Sequence, residues 1–182
     1  MAGYKSLLIY RTAVTISDLT AIFCRRYINP RSRTFDQMIQ ASRSGKQNLS
    51  EGSKELSSGG EILLSSTSRS SYTELIEDFE DFLRQHNLAV WEKNDQRVLR
   101  IRAFRENIAT PTSLTNLADW TNLGFENAEN FANLMVCLCY KQGYLMDRFL
   151  RAKQEKFIKE GGFKENLYKK RQQFKNKFGK LD

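Results

Sequence analysis

The chain has 182 residues, 40% hydrophobic and 27% charged, with 2 prolines and 10 glycines; this excludes a disordered chain and leaves room for long uninterrupted helices. No run approaches the roughly 18 consecutive apolar residues of a spanning helix, and Met1 to Lys5 lacks the layout of a signal peptide, so a cytoplasmic protein with no membrane partner is expected. The formal net charge of +8 is unevenly placed, with 11 Lys and Arg against 4 Asp and Glu in residues 151–182 and 18 against 17 in residues 1–150.

The first predicted helix runs from about Ser6 to Tyr27, where Leu8, Ile9 or Ala13, Ile16, Leu19, Phe23 and Tyr27 recur at helical steps. Asn29-Pro30 stops it, because the residue before proline avoids the helical region. The second helix is expected from Arg33 to about Leu56, capped by Ser32 or Thr34. Its inward face is Phe35, Met38, Ala41, Gly45 and Leu49, beside Ser42, Asn48 and Gly52. Two glycines inside a helix cost roughly 1 kcal/mol each against alanine, which close packing or a functional contact must offset. Asn48 and Glu51 are read either as functional residues or, the favoured reading, as polar residues that satisfy buried hydrogen bonds across a packed helix interface.

A third helix is expected after the Ser57-Ser58-Gly59-Gly60 break and continues to about Gln85. Its first half is serine-rich, and serine is a mediocre helix former, so tertiary packing must hold it. Its second half sets Leu75, Ile76, Phe79, Phe82 and Leu83 opposite Glu74, Glu77, Asp78, Glu80 and Asp81. In residues 88–126 a short basic amphipathic stretch, Arg97 to Arg105, follows Trp91. Thr110-Pro111-Thr112-Ser113 then signals a new helix through Leu114 to Trp120. The fourth bundle helix is expected from about Asn127 to Lys159, on the order of 45–50 Å long and more than a bundle needs, so it should project. Gly161-Gly162 is a stop signal. Beyond it Phe163, Leu167, Phe174 and Phe178 form a narrow stripe on a lysine-rich final helix.

These elements define an all-α fold, an antiparallel up-down four-helix bundle. Residues 1–87 supply three helices, 88–126 a helical insertion, 127–160 the long fourth helix, and 161–182 a basic C-terminal extension. No alternation of period two and no hairpin signal argues for a strand.

No catalytic constellation is legible. The single histidine, His86, reads as a solvated imidazole at a helix end favoured by the macrodipole. Glu74, Glu77, Asp78 and Asp81 lie along adjacent helix rows but lack partner ligands on a facing helix, and read as a solvated acidic face or one that meets a neighbour's basic face. Cys24, Cys137 and Cys139 fit neither a disulfide framework nor zinc spacing and read as buried free thiols. No phosphate-cradling glycine motif occurs. No cofactor and no metal are expected.

The segment Gln37-Met38-Ile39-Gln40-Ala41-Ser42-Arg43-Ser44-Gly45-Lys46-Gln47-Asn48-Leu49-Ser50-Glu51-Gly52 resembles the second-helix signature of bacterial four-helix bundle proteins first noticed in the intervening sequences of 23S ribosomal RNA genes. Ser70-Ser71-Tyr72-Thr73-Glu74-Leu75 is similar to that family's third-helix element. The insertion with Lys159-Glu160-Gly161-Gly162-Phe163-Lys164-Glu165 resembles a branch with a C-terminal suffix domain. The match spans nearly the whole chain. It implies a homopentamer, and a distant similarity to the accessory variability determinants of diversity-generating retroelements implies binding of nucleic acid and of a protein such as a reverse transcriptase or RNA-processing factor. Ser65, Ser66, Ser68 and Ser70 depart from the family's apolar pattern.

A basic tail on a near-neutral body points to an acidic polymer, with solubility alone as the plain alternative. The expected nucleic-acid-binding residues are Arg151, Lys153, Lys156, Lys159, Lys164, Lys169, Lys170, Arg171, Lys175 and Lys177, with Lys180 beyond them and Tyr168 and Phe174 placed for stacking. A second expectation is that the apolar stripe packs on a neighbouring subunit while the lysines are merely wet. A third is a hub that recruits a protein through the Trp91–Trp120 insertion without nucleic acid.

Overall fold

The computed structural model describes Tyr4, residues 7–103 and residues 127–179. All of its regular structure among those residues is helical: α1 Leu8–Tyr27, α2 Arg33–Gly52, α3 Ser58–Gln85, α4 Gln96–Ala103, α5 Ala128–Glu160 and α6 Phe163–Phe178. Helices α1, α2, α3 and α5 form the bundle. Each packs on its two neighbours in the order α1, α2, α3, α5, while α4 lies on α5 as the insertion and α6 extends α5. No helix among the described residues is long and apolar enough to cross a membrane.

Local chemistry sets the ends. Ser32 caps α2 by accepting the Phe35 N–H at 3.1 Å, so Ser32 and not Thr34 is the cap. The helix stops at Gly52, four residues short of the expected end, where the Ser53 hydroxyl turns back to donate to the Ser50 carbonyl at 2.7 Å. Helix α3 begins earlier than the glycine pair suggested. Ser57 accepts the Gly60 N–H at 3.1 Å, and that cap holds Gly59 and Gly60 in the first turn despite their poor propensity. Asn127 caps α5 through the Asn130 N–H at 2.8 Å. At the end of α3, Asn87 takes a positive φ of 53° and Leu88 donates back to the Leu83 carbonyl at 2.8 Å, closing the helix with a left-handed turn. Arg105, the 110–113 turn signal and the Leu114–Trp120 stretch lie outside the described residues, as do Ser6 and Lys180.

At one end of the bundle the core is aromatic. Phe23 of α1 is fully buried, with ring centroids of Phe79, Phe82 and Phe131 at 5.0, 4.9 and 5.3 Å in edge-on arrangements. Such pairs add about 0.5–1.5 kcal/mol each beyond area burial. Towards the middle the packing becomes close and polar. The Ser68 hydroxyl of α3 donates to the Gly45 carbonyl of α2 at 2.6 Å. The buried ring of Tyr72 lies against Gly45 so tightly that an added Cβ would stand 2.7 Å from Tyr72 Cζ. The glycine in α2 is thus explained by a neighbour's ring. Gln142 of α5 donates to the Ile9 carbonyl of α1 at 2.8 Å.

Asn48 and Glu51 make their bonds elsewhere than expected. Asn48 donates to Ser44 at 3.1 Å and Glu51 accepts from Gln47 at 2.8 Å, both within α2. Buried polar contacts between helices come from Ser68 and Gln142 instead. Of the unusual serines, Ser65 and Ser68 are buried, while Ser66 and Ser70 face outwards; the small hydroxyl side chains let α2 and α3 approach.

Candidate nucleic-acid interface

Helix α5 changes surroundings along its length. Its fully buried positions run from Phe131 to Met146. Beyond Asp147, which pairs with Arg69 of α3 at 2.6 Å, every side chain is exposed or half-buried. Phe149 still packs on the core and Lys153 still reaches α3, whereas the turns beyond Lys153 are exposed throughout and project, as the helix length predicted. Gly161 ends it with φ 75°, where an added Cβ would press on Glu165 Oε2. Glu165 accepts the Gly162 N–H at 3.0 Å, Asn166 donates to the Gly161 carbonyl at 3.3 Å, and Phe157 packs over Gly162. A built corner therefore joins α5 to α6.

Helix α6 carries Lys164, Lys169, Lys170, Arg171, Lys175 and Lys177 against the single acid Glu165, and it buries no residue. All six cations are exposed, as are Arg151, Lys156 and Lys159 on distal α5. Lys153 stands apart. It is half-buried, its Nζ lies 2.6 Å from Glu61 of α3, and it sits 5.1 Å from the Phe149 ring centroid, so much of its charge is engaged within the fold. Lys156 lies 3.8 Å from Glu160, an exposed pair of one helical turn with little energy in it. The ten candidate cations thus divide into six on α6 and four on α5, of which Lys153 is turned inwards.

Aromatic rings accompany these cations. Phe163, Tyr168, Phe174 and Phe178 are 48%, 65%, 65% and 49% exposed, and the last two lie 4.9 Å apart.

Two other regions carry polar or apolar features of note. On α3, burial pushes the Asp78 carboxyl up to about 6, aided by Glu74, Asp81 and Glu77. Among the described residues no group of three or more His, Cys, Asp or Glu is placed to hold a metal ion. His86 follows α3 as its cap, with Nδ1 2.8 Å from the Phe82 carbonyl and its ring stacked on Phe82. Burial raises all three thiols, Cys137 to about 11 and Cys24 to about 12, with Cys139 raised furthest; none is an activated nucleophile.

The second region lies beside the insertion. A groove of about 590 Å³ runs between α4 and α5, lined by Val90, Trp91, Val98, Val136, Tyr140 and Tyr144. Asn133 of α5 pins the segment before α4, accepting the Trp91 N–H and donating to the Ala89 carbonyl, each at 2.8 Å. Arg97 stacks over the Trp91 ring at 3.9 Å. Sequence reasoning singled out Trp91 but missed Asn133, since a lone asparagine in an apolar run carries no periodic signal.

No family model, curated protein or solved structure matches the chain.

Proposed function

We propose that this chain is a non-enzymatic, homo-oligomeric helical-bundle protein that binds nucleic acid, RNA foremost, through basic surfaces that include α6. The carrying observation is that α6 holds six cations against one acid and buries nothing. Charge that folding does not consume is free to neutralise phosphates. The resemblance of the second-helix segment to the intervening-sequence family supports a pentamer, in which each basic rod repeats five times and modest affinity becomes avidity. Binding is salt-sensitive and largely independent of base sequence.

A filter-binding titration with RNA and DNA at about 50 mM salt tests this reading, and absence of any retained complex ends it. Deleting residues 162–182 distinguishes the tail's two roles: lost nucleic-acid binding with the assembly intact supports recognition, whereas lost oligomers support packing between subunits. Light scattering reads the assembly, and a monodisperse monomer removes the homo-oligomeric part.

The apolar groove beside Trp91 favours a second reading, a hub that recruits a protein without nucleic acid. Val90, Tyr140 and Tyr144 are 50%, 55% and 62% exposed there. Partners that survive nuclease treatment in a pull-down support the hub, and partners that vanish support the first reading.

A further inference from the structure

Resting on the nucleic-acid reading, we infer that α6 takes single strands in preference to duplexes, with Phe174 and Phe178 stacking on unpaired bases. The inference starts from an apolar anomaly. Inside the bundle Phe23, Phe79 and Phe131 are fully buried, while the four aromatic rings of α6 are all about half exposed or more. A lysine-rich tail that served only solubility or phosphate contact would have no use for them.

At about 100° per residue, Phe163, Leu167, Phe174 and Phe178 fall within roughly 60° of one another. Lys164, Arg171 and Lys175 line one edge of that stripe and Lys170 and Lys177 the other. Tyr168 sits roughly 80° beyond Phe178, outside the stripe. Phe163 and Phe174 lie about 16 Å apart along the axis, room for several nucleotides. Cations on both flanks can follow a bent phosphate backbone while rings between them meet its bases.

Three occupants compete for such a face. A second copy is disfavoured by area. At roughly 150–250 Å² per aromatic side chain, the exposed half of the stripe offers about 400 Å², half of the ~800 Å² per partner that a stable interface buries. A lipid surface is disfavoured by shape, because its helices present an apolar face of about 100° or more, and here Tyr168 points elsewhere. A duplex offers phosphates but hides its base faces within the stack, leaving the rings unused. An unpaired strand supplies both phosphates and open π-faces, and stacking of this kind is tolerant of sequence.

The test uses the full chain in fluorescence anisotropy with a 16-nucleotide oligouridylate and a mixed-sequence RNA duplex of 16 base pairs at equal salt. The expected result is at least tenfold tighter binding of the single strand. Phe174→Leu with Phe178→Leu, which keeps the stripe apolar and lies outside the bundle core, should lose about tenfold on the single strand and leave the duplex affinity unchanged. Equal affinity for both strand forms, or a double variant as tight as the parent, overturns the stacking inference while nucleic-acid binding stands. No binding to either probe removes both readings together. Co-sedimentation with phosphatidylglycerol vesicles that survives in the double Leu variant, without any strand preference, overturns the inference in favour of a lipid surface.

Discussion

The proximal and distal parts of α5 belong to one unbroken helix of 33 residues, with apolar side chains in both. From Phe131 to Met146 the inward-facing ones meet α1 and α3 and disappear from solvent, whereas beyond Met146 none does, and Phe157 and Ile158 are 38% and 79% exposed. Helix α6 continues the second condition. Periodicity is present on both sides of the change, so periodicity alone does not define a core. What differs is whether another of the described helices stands opposite. Residues in the bundle are held by shape; residues in the projecting rod are held by local helix geometry and left available.

The largest expected effect breaks the buried side. Phe23→Ala removes a ring packed edge-on against three others and should cost about 3–5 kcal/mol, read as a lowered urea midpoint by circular dichroism. Phe174→Ala on α6 should stay within about 0.5 kcal/mol of the parent; a comparable loss there would abolish the distinction between bundle and rod. Next comes Gly45→Ala. The new methyl would stand 2.7 Å from Cζ and 2.9 Å from Oη of a tyrosine that is 1% exposed, and such overpacking costs about 1–3 kcal/mol. Combining it with Tyr72→Leu should be less than additive, since the smaller side chain removes what the methyl strikes.

The bundle was legible in the sequence wherever a large apolar residue marked a helical face: Ile16, Leu19, Phe23, Met38, Leu75 and Phe79 are all in the core. Where contacts depend on small or polar groups, the pattern was silent. Gly45 could be flagged as unusual, but its partner Tyr72 lies on another helix, and no spacing rule joins them. Ser57 outweighed a glycine pair that looked like a break. Asn48 and Glu51 looked like interhelical bonding groups, but neighbours one turn away in α2 satisfy them. The basic tail was legible as charge. That Lys153 turns towards Glu61 was not, because a lysine on a projecting helix gives no sign of which acid it will meet. The apolar groove beside Trp91 depends on how two distant segments come together, which composition does not encode.

A smaller effect sharpens the comparison on the rim of the bundle, where Asp78 is half-buried among other acids. Its folded pKa of about 6 lies above the ordinary 3.8, so the native state holds the proton more tightly than the unfolded chain. Stability from this group is therefore present at low pH and lost as pH rises from about 4 through 6. Asp78→Asn should remove that slope and raise stability at pH 7 by about 1 kcal/mol, after allowing for solvent screening. Parallel pH profiles for parent and variant would show that the charge is already solvated.

The smallest effect concerns Gly143, which sits in mid-α5 between the exposed rings of Tyr140 and Tyr144. Unlike Gly45, it has no atom of another described helix within 4 Å of where a Cβ would stand. With no neighbour among the described residues to accommodate, the glycine weakens the helix, and Gly143→Ala should stabilise the chain by about 0.5–1 kcal/mol. The urea midpoint should rise while the mass by light scattering stays the same. A fall in that mass would mean that a second copy approaches α5 closely at this point, so that the space left open within one chain is filled by another. The rule drawn from α5, that its outer face is left available rather than packed, would then hold for the isolated protomer and fail for the assembly.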